Sequence, residues 1–405
     1  MSHRSTKFWL MGALDDYTVL DLAILVQGPQ AAAMLHDMGA SVTKIELPGT
    51  GDLGRWIQIG PDDNRSGFYV GSNRGKRSVT LDLRQPGGKR AIEKLIETAD
   101  VLIHNFVPGT MELWGLSYDE VSKINPRLVY AAGSTFGPEG PDSTREGADT
   151  LGQAAGGLIS TTGYDGGEPT PVGAVIADHM GCQNMVAGVL AALLHRERTG
   201  EGQRVDVSLL GSQIWAQASE YSHYLMSGMI PGRANRSHPL IPGLLRMVPT
   251  SDGWIQLVGV PAHLWVGFAH AIGREDLADD DRFTTLFMTP ENLAELERIV
   301  DEEFPKYTTD EMCDRLQAAG QRYSPVRDYA EAAADPGALI NRYFVEFDNE
   351  DGSVDRVIGT PIRMSATPLE PGHKAPSLGE HTEEVLLEAG FSWEDIDQLR
   401  TDGAY

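Results

Sequence analysis

VLDLAILVQGPQAAAMLHDMGASVTKIE, residues 19–46, decides the fold. Val19-Leu20-Asp21-Leu22-Ala23-Ile24 reads as a strand, the Gly28-Pro29 turn opens a helix through Met38, and Ser41-Val42-Thr43-Lys44-Ile45-Glu46 reads as a second strand. Two strands joined by one helix predict a parallel, doubly wound α/β sheet, since a parallel pair needs a crossover to return the chain to the same edge.

The pattern continues on both sides. Asn73-Arg74-Gly75-Lys76-Arg77 places three cations ahead of the alternating Ser78-Val79-Thr80-Leu81-Asp82-Leu83. Such a cluster reads as a phosphate grip or as a solvated basic turn, and both readings stay open. A helix over 87–98 leads to the strand Val101-Leu102-Ile103, which ends at His104-Asn105-Phe106-Val107-Pro108-Gly109. Ligands bind parallel sheets at the carboxyl ends of their strands, so Asn105 is a site candidate. Val129-Tyr130-Ala131-Ala132 gives a further strand. Gly49-Thr50-Gly51-Asp52-Leu53-Gly54 has the spacing of a dinucleotide loop, but it follows the second strand and opens no clear helix, so a nicotinamide dinucleotide site is rejected.

A second informative stretch is VGAVIADHMGCQNMVAGVLAALLHRERTGEGQRVDVSLL, residues 172–210. Met180 to Leu194 reads as a core helix of small and aliphatic residues, and Gln203 to Leu210 alternates like a half-buried strand. Asp178 stands where the chain enters that helix. It reads as an N-cap, or as a carboxylate held ionised by the helix N-terminus with N–H groups nearby for an oxyanion. Position alone does not choose between them.

The 405 residues suffice for two or three domains, and 41% hydrophobic with 22% charged residues indicates a soluble globular chain. A formal charge of −25 argues against nucleic acid or an anionic membrane as partner. Cys182 and Cys313 form no disulfide framework or metal spacing, which fits a cytoplasmic protein without a metal. No stretch has the length of a signal peptide core or a membrane span.

The motifs together resemble the class III coenzyme A transferases, the formyl-CoA transferase and carnitine-CoA transferase type, a family that also holds the alpha-methylacyl-CoA racemases. The resemblance lies on Lys44-Ile45-Glu46 with Gly51-Asp52, on NRGKRSVTLDL (73–83), on Asn105-Phe106 with Pro108-Gly109, and on Ala177-Asp178. It continues in RERTGEGQ (196–203) with VDVSL, and in Gly379 to Leu386. Several motifs in one order make the match specific.

The resemblance implies a Rossmann-like parallel-sheet large domain, a smaller α+β domain and an interlocked homodimer. The domains would be 1–226 (large, CoA-binding, N-terminal part), 227–335 (small) and 336–405 (returning to the large domain), with a Gly- and Pro-rich break over 227–243. It implies an acyl-CoA:carboxylate CoA-transferase in which Asp178 is the nucleophile, forming an anhydride and then a thioester. Coenzyme A would be held by Arg55, Arg74, Lys76, Arg77 and Asn105, and the substrate by Gln27, Asp149 and Gln153. The chain departs from the family at Leu47, Val107 and Leu113, where members often carry phosphate-gripping arginines, and it lacks the glycine-rich lid loop of formyl-CoA transferase. Racemases of the family resemble one another in a Gly-His-Asp motif; here Gly147-Ala148-Asp149 stands in its place, and alanine cannot carry a proton. Racemase and non-catalytic subunit of a heteromeric transferase are the alternatives.

Overall fold

The computed structural model describes residues 12–241, 243–285, 288–349 and 352–405. Residues 1–11, and Pro242 in the break read above, lie outside them. The chain divides into two compact units: the described residues up to Gly156 with Gly173–Ala216 and Pro336–Tyr405, and Gly157–Val172 with Gln217–Asp335.

The first unit is built on β1 (Thr18–Asp21), β2 (Ser41–Glu46), β3 (Arg77–Thr80), β4 (Val101–His104), β5 (Val129–Ser134) and β6 (Arg204–Ser208). All neighbours pair in parallel, in the order β3-β2-β1-β4-β5-β6. The chain thus reverses direction across the sheet between β1 and β4, which opens a crevice beyond their carboxyl ends.

Side-chain alternation sorts the core into two layers. Val19, Val101, Ile103, Val129 and Ala131 pack with the helices Gln27–Asp37 and Ile176–Thr199. Leu20, Leu102, Tyr130 and Ala132 pack on the other face with Pro86–Ile96, Tyr118–Ile124 and the C-terminal helices Thr382–Glu388 and Trp393–Thr401. The C-terminal segment is tied back by backbone bonds from His381 to Ser78 (2.9 Å) and from Asp82 to Ala404 (2.8 Å).

Two expectations change. β1 ends at Asp21 instead of Ile24 because side chains take the backbone groups a ladder would use: Asp21 Oδ1 accepts from Ala23 N, and Lys44 Nζ donates to Ala23 O. The central helix spans Ile176–Thr199, longer at both ends than the 180–194 reading, and stops where Gly200 takes φ +81°. One flank of it, Gln183, Ala187, Ala191 and Leu194, is exposed. Its glycines mark close approaches: a Cβ on Gly188 would stand 2.6 Å from Val205 Cγ1 on β6.

The second unit carries an antiparallel sheet of β7 (Leu245–Pro249), β8 (Trp254–Val258) and β9 (Tyr323–Pro325), with Trp265, Phe268, Phe283 and Phe304 in its core. Arg246 to Val260 reads as a hairpin around Ser251-Asp252-Gly253, and β7 and β8 pair antiparallel across that turn; Asp252 Oδ1 accepts from Thr309 N at 2.8 Å. A hairpin of β10 (Phe344–Asp348) and β11 (Val354–Ile358) belongs to the first unit. Among the described residues no helix is long and apolar enough to cross a membrane.

Candidate active site

Asp178 is the third residue of the Ile176–Thr199 helix, and the position before the helix is Val175, which supplies no side-chain cap. The N–H groups expected to serve Asp178 go instead to Asp149, whose Oδ1 accepts from Ala177 N (2.7 Å) and Asp178 N (3.2 Å). Gln153 Nε2 holds the other Asp149 oxygen at 2.6 Å and also reaches Ala174 O. Asp149 thus caps the helix from 28 residues away, and Asp178 is left half-buried. Burial, reinforced by the Asp149 charge, pushes the Asp178 carboxyl up to about 7. This corrects the reading of Asp178 as an N-cap or as a carboxylate held ionised by free helix amides: the amides are already taken, and desolvation dominates.

Gly181 lies one helical turn after Asp178, and a Cβ there would stand 2.7 Å from Gln27 Nε2; a Cβ on Gly133 at the end of β5 would stand 2.3 Å from Gln27 Oε1. Gln27 is therefore wedged between two glycines at the start of the Gln27–Asp37 helix, 2% exposed. Its Nε2 has no hydrogen-bond partner among the described residues. Gln27, Asp149 and Gln153 are thereby brought to the Asp178 turn. His179 Nδ1 lies 2.7 Å from Gln30 Oε1, and burial holds its imidazole below the ordinary range.

The loop ahead of Gln27 is pinned from two sides. Asn105 clamps Ile24 by both backbone groups, at 2.8 Å each, and Asp52 Oδ1 accepts from Leu25 N, where φ is +67°. Asp52 belongs to a buried ionic network that sequence reading missed. Lys44 Nζ bridges Asp52 (2.8 Å) and Asp21 (3.5 Å), and Lys76 Nζ binds Asp21 (2.7 Å), Asn73 Oδ1 and Pro29 O. Burial alone would raise the Asp21 carboxyl, but the Lys44 and Lys76 ammonium groups hold it below its ordinary value. Burial also pushes Lys76 down to about 8. In the sequence the members of this network apart from Asp21 fall in the Lys44-Ile45-Glu46, Gly51-Asp52 and 73–83 motifs, but their pairing is unmarked because they lie in separate segments.

The four cations read as phosphate holders all have protein partners. Glu46 receives Arg55 Nε and Nη2 at 2.8 Å each. Arg74 is 2% exposed and pairs with Asp37 and Thr360. Lys76 is buried in the network described, and Arg77 reaches Glu388 (2.7 Å) on the Thr382–Glu388 helix. Arg74 and Lys76 offer no surface charge in this conformation. The Gly49–Gly54 segment forms a tight loop with a short 3₁₀ turn at Leu53–Trp56.

Beyond the carboxyl ends of β1 to β4 lies a cavity of about 240 Å³. Ile24, Ile45, Leu47, Leu83, Phe106 and Trp114 give it an apolar lining, and Glu46, Asp52, Asp82 and Arg84 its charged one. The volume falls below the roughly 300–1,000 Å³ of pockets for drug-sized ligands, so it suits one end of a longer molecule. Among the described residues no group of three or more His, Cys, Asp or Glu is placed to hold a metal ion.

The removal of Asp149's charge is the sharpest test of this geometry. Asp149→Asn keeps an acceptor oxygen for Ala177 N but removes the repulsion, so the Asp178 carboxyl moves back toward the ordinary range while burial still holds it above. If Asp178 reacts as a carboxylate, kcat/KM falls as pH drops through about 7 in the parent protein, and at lower pH in Asp149→Asn. The pH–rate profiles of the two proteins check this; superimposable acid limbs would remove Asp149 from the electrostatics of the site.

The sequence model of the family described as CoA-transferase family III matches residues 14–382. The chain is 34% identical to a succinate–glutarate CoA-transferase of Agrobacterium fabrum, over 93% of this chain and 95% of that protein. It is 35% identical to a succinyl-CoA:mesaconate CoA-transferase of Haloarcula marismortui, over 94% and 97%. Among solved structures, a CAIB/BAIF family protein from Brucella suis superposes with a TM-score of 0.83 at 30% identity, over 94% of this chain and 100% of that one.

Proposed function

Since this chain belongs to CoA-transferase family III, an enzyme family that transfers CoA, we propose that it moves CoA from an acyl-CoA thioester to a carboxylic acid through covalent intermediates on Asp178. The observation that carries this reading is a half-buried carboxylate on a helix turn whose backbone is fixed by Asp149, with the unpartnered amide of Gln27 beside that turn.

A carboxylate oxygen of Asp178 attacks the thioester carbon; the C–S bond breaks and CoA leaves as the thiolate. The thiolate then attacks the Asp178 carbonyl of the mixed anhydride, releasing the donor acid and leaving an aspartyl-CoA thioester. The acceptor carboxylate repeats the exchange in reverse, and Asp178 is regenerated with no net proton change. Splitting the transfer this way replaces one difficult step by easier ones. Gln27 Nε2 donates to the oxyanion that forms at each attack, where such a donor is worth about 10²–10³ in kcat. Burial of the turn limits hydrolysis of the anhydride.

The adenosine end of CoA occupies the cavity beyond β1 to β4, between Phe106, Trp114 and the Leu81–Arg84 segment. Asn105, Arg55 and Lys76 contribute by fixing the loops around it. Relatives named for succinate, glutarate and mesaconate favour dicarboxylic acids as the acids exchanged. The protein acts as a homodimer in the cytoplasm; exposed Leu225, Met226 and Ile230 supply apolar surface for the second copy.

Incubation with succinyl-CoA or glutaryl-CoA, hydroxylamine trapping and peptide mass spectrometry tests the mechanism. A hydroxamate on Asp178 is expected. No adduct, combined with deuterium uptake at the α-carbon of a branched acyl-CoA in heavy water, would instead make the protein a racemase. An adduct that requires a second, related chain would make it one subunit of a heteromer.

A further inference from the structure

The second unit holds a cavity of about 500 Å³ that the transfer described above does not use. Among the described residues its lining carries three guanidinium groups, those of Arg233, Arg236 and Arg246, against one carboxylate, Glu297. Asp301, on the same Pro290–Glu303 helix, supplies a second. Arg246 takes both, at 3.3 Å to Glu297 and 3.0 Å to Asp301. Arg236 reaches Asp301 at 3.5 Å, and its guanidinium lies over the Trp254 ring. Two further acids have partners of their own: Asp165 is bound to Asn235 at 2.8 and 3.0 Å, and Glu220 to His238 at 2.9 Å.

Three cations thus share two carboxylates, and the surplus charge is that of Arg233. Its Nη1 donates to two backbone carbonyls, Thr162 O at 2.9 Å and Glu168 O at 2.7 Å, which fix the plane of the half-buried group. Its Nε and Nη2 have no hydrogen-bond partner among the described residues. These two N–H groups form one edge of the guanidinium, and that edge matches the two oxygens of a carboxylate. The chain uses it this way elsewhere. Arg84 holds Asp82 through Nε and Nη2 at 2.8 Å each, and Arg274 holds Asp276 through the same atoms at 2.8 and 2.7 Å.

Charge selects the ligand. A carboxylate brings one negative charge, which the surplus cation balances. A phosphate monoester brings about −1.5 to −2, and the excess meets Glu297 and Asp301. With a net charge of −25 the chain repels anions overall, so a bound one needs a local cation with free donors. The volume lies within the roughly 300–1,000 Å³ of small-molecule pockets.

We propose that this cavity binds a free carboxylic acid, with the carboxylate on the Nε–Nη2 edge of Arg233. Free acids are the class that the proposed transfer consumes and releases; the binding inferred here depends on the second unit alone and not on Asp178.

Hydrogen–deuterium exchange of the full chain with excess butyrate, and with butyramide as its uncharged counterpart, tests it. Butyrate is expected to protect amides in 161–168 and 233–239, and butyramide is not. Arg233→Gln is expected to raise the butyrate dissociation constant, read from the same protection, by about tenfold or more, the scale of a lost charge-assisted contact. Arg233→Lys, which keeps the charge without the edge, is expected to fall between. No protection by butyrate, equal protection by butyramide, or undiminished protection in Arg233→Gln would make Arg233 only a staple between Thr162 and Glu168 and overturn the inference. Stronger protection by inorganic phosphate than by butyrate would overturn it as well. Should Arg233→Gln loosen these segments without ligand, the comparison of butyrate with butyramide in the parent protein still decides. A hydroxamate on Asp178 forms or fails to form independently of these results, so the transferase reading stands or falls separately.

Discussion

Asp178→Ala is expected to lower kcat/KM for CoA transfer by about 10³-fold or more, since loss of a covalent nucleophile removes both halves of the exchange. Asp178→Asn should do nearly the same, because the amide is a poor nucleophile despite its similar shape. Folding is expected to survive, and the sign of the stability change can be worked out. The Asp178 carboxyl is raised from an ordinary 3.8 to about 7, so between these values the folded chain binds more protons than the unfolded one. Stability attributable to this group therefore falls as pH rises through that window, and the full cost of the buried charge is present above about pH 7. Asp178→Asn removes that cost. At pH 8 it should melt at or above the parent temperature, with a smaller difference at pH 5. Steady-state transfer rates and melting curves at the two pH values check both halves. Substantial transfer by Asp178→Ala, or a lower melting temperature for Asp178→Asn at pH 8, would contradict the picture of a destabilising functional carboxylate.

The largest stability effect is expected at Asp21, which touches no proposed substrate. Its carboxylate is fully buried and faces two fully buried ammonium groups, Lys76 at 2.7 Å and Lys44 at 3.5 Å. Asp21→Ala leaves Lys76 with only neutral partners, Asn73 Oδ1 and Pro29 O, and leaves Lys44 with Asp52 alone as its ion-pair partner. Breaking a buried pair by removing one member costs about 3–5 kcal/mol, because the remaining charge stays desolvated. In a chain of this size that corresponds to a fall in melting temperature of about 4–6 °C. Lys76→Met in the Asp21→Ala background should recover part of the loss, since it removes the stranded charge and keeps the volume. Thermal unfolding of the single and double variants measures the coupling directly. Equal destabilisation by the single and double variants would mean that Lys76 finds water or another partner once Asp21 is gone.

The parallel sheet was legible because the strand–helix–strand spacing of 19–46 implies parallel pairing. Its two layers were not, since Val19 and Leu20 are both apolar and only the fold shows that they face opposite sides. The hairpin at 251–253 was legible from a Ser-Asp-Gly turn between two alternating runs. Asp178 stood out because it is an isolated carboxylate at the entrance of an apolar helix.

The environment of Asp178 was not legible. Its cap comes from Asp149, its neighbouring amide from Gln27 across a gap that Gly181 and Gly133 keep open, and its raised pKa from burial reinforced by the Asp149 charge. Asp149 and Gln27 both lie far from Asp178 in sequence, so no local pattern announces them. The cluster Arg74, Lys76 and Arg77 makes the same point. Three adjacent cations look like a phosphate grip until the fold sends Arg74 to Asp37, Lys76 to Asp21 and Arg77 to the C-terminal helix. By itself the sequence determined the order of the sheet strands along the chain, the family motifs and the position of the candidate carboxylate Asp178, because those depend on short-range periodicity and residue identity. Only the tertiary structure decided which charges are neutralised and which carboxylate is raised toward neutral pH, because electrostatic energy depends on distances and burial between residues far apart in the chain.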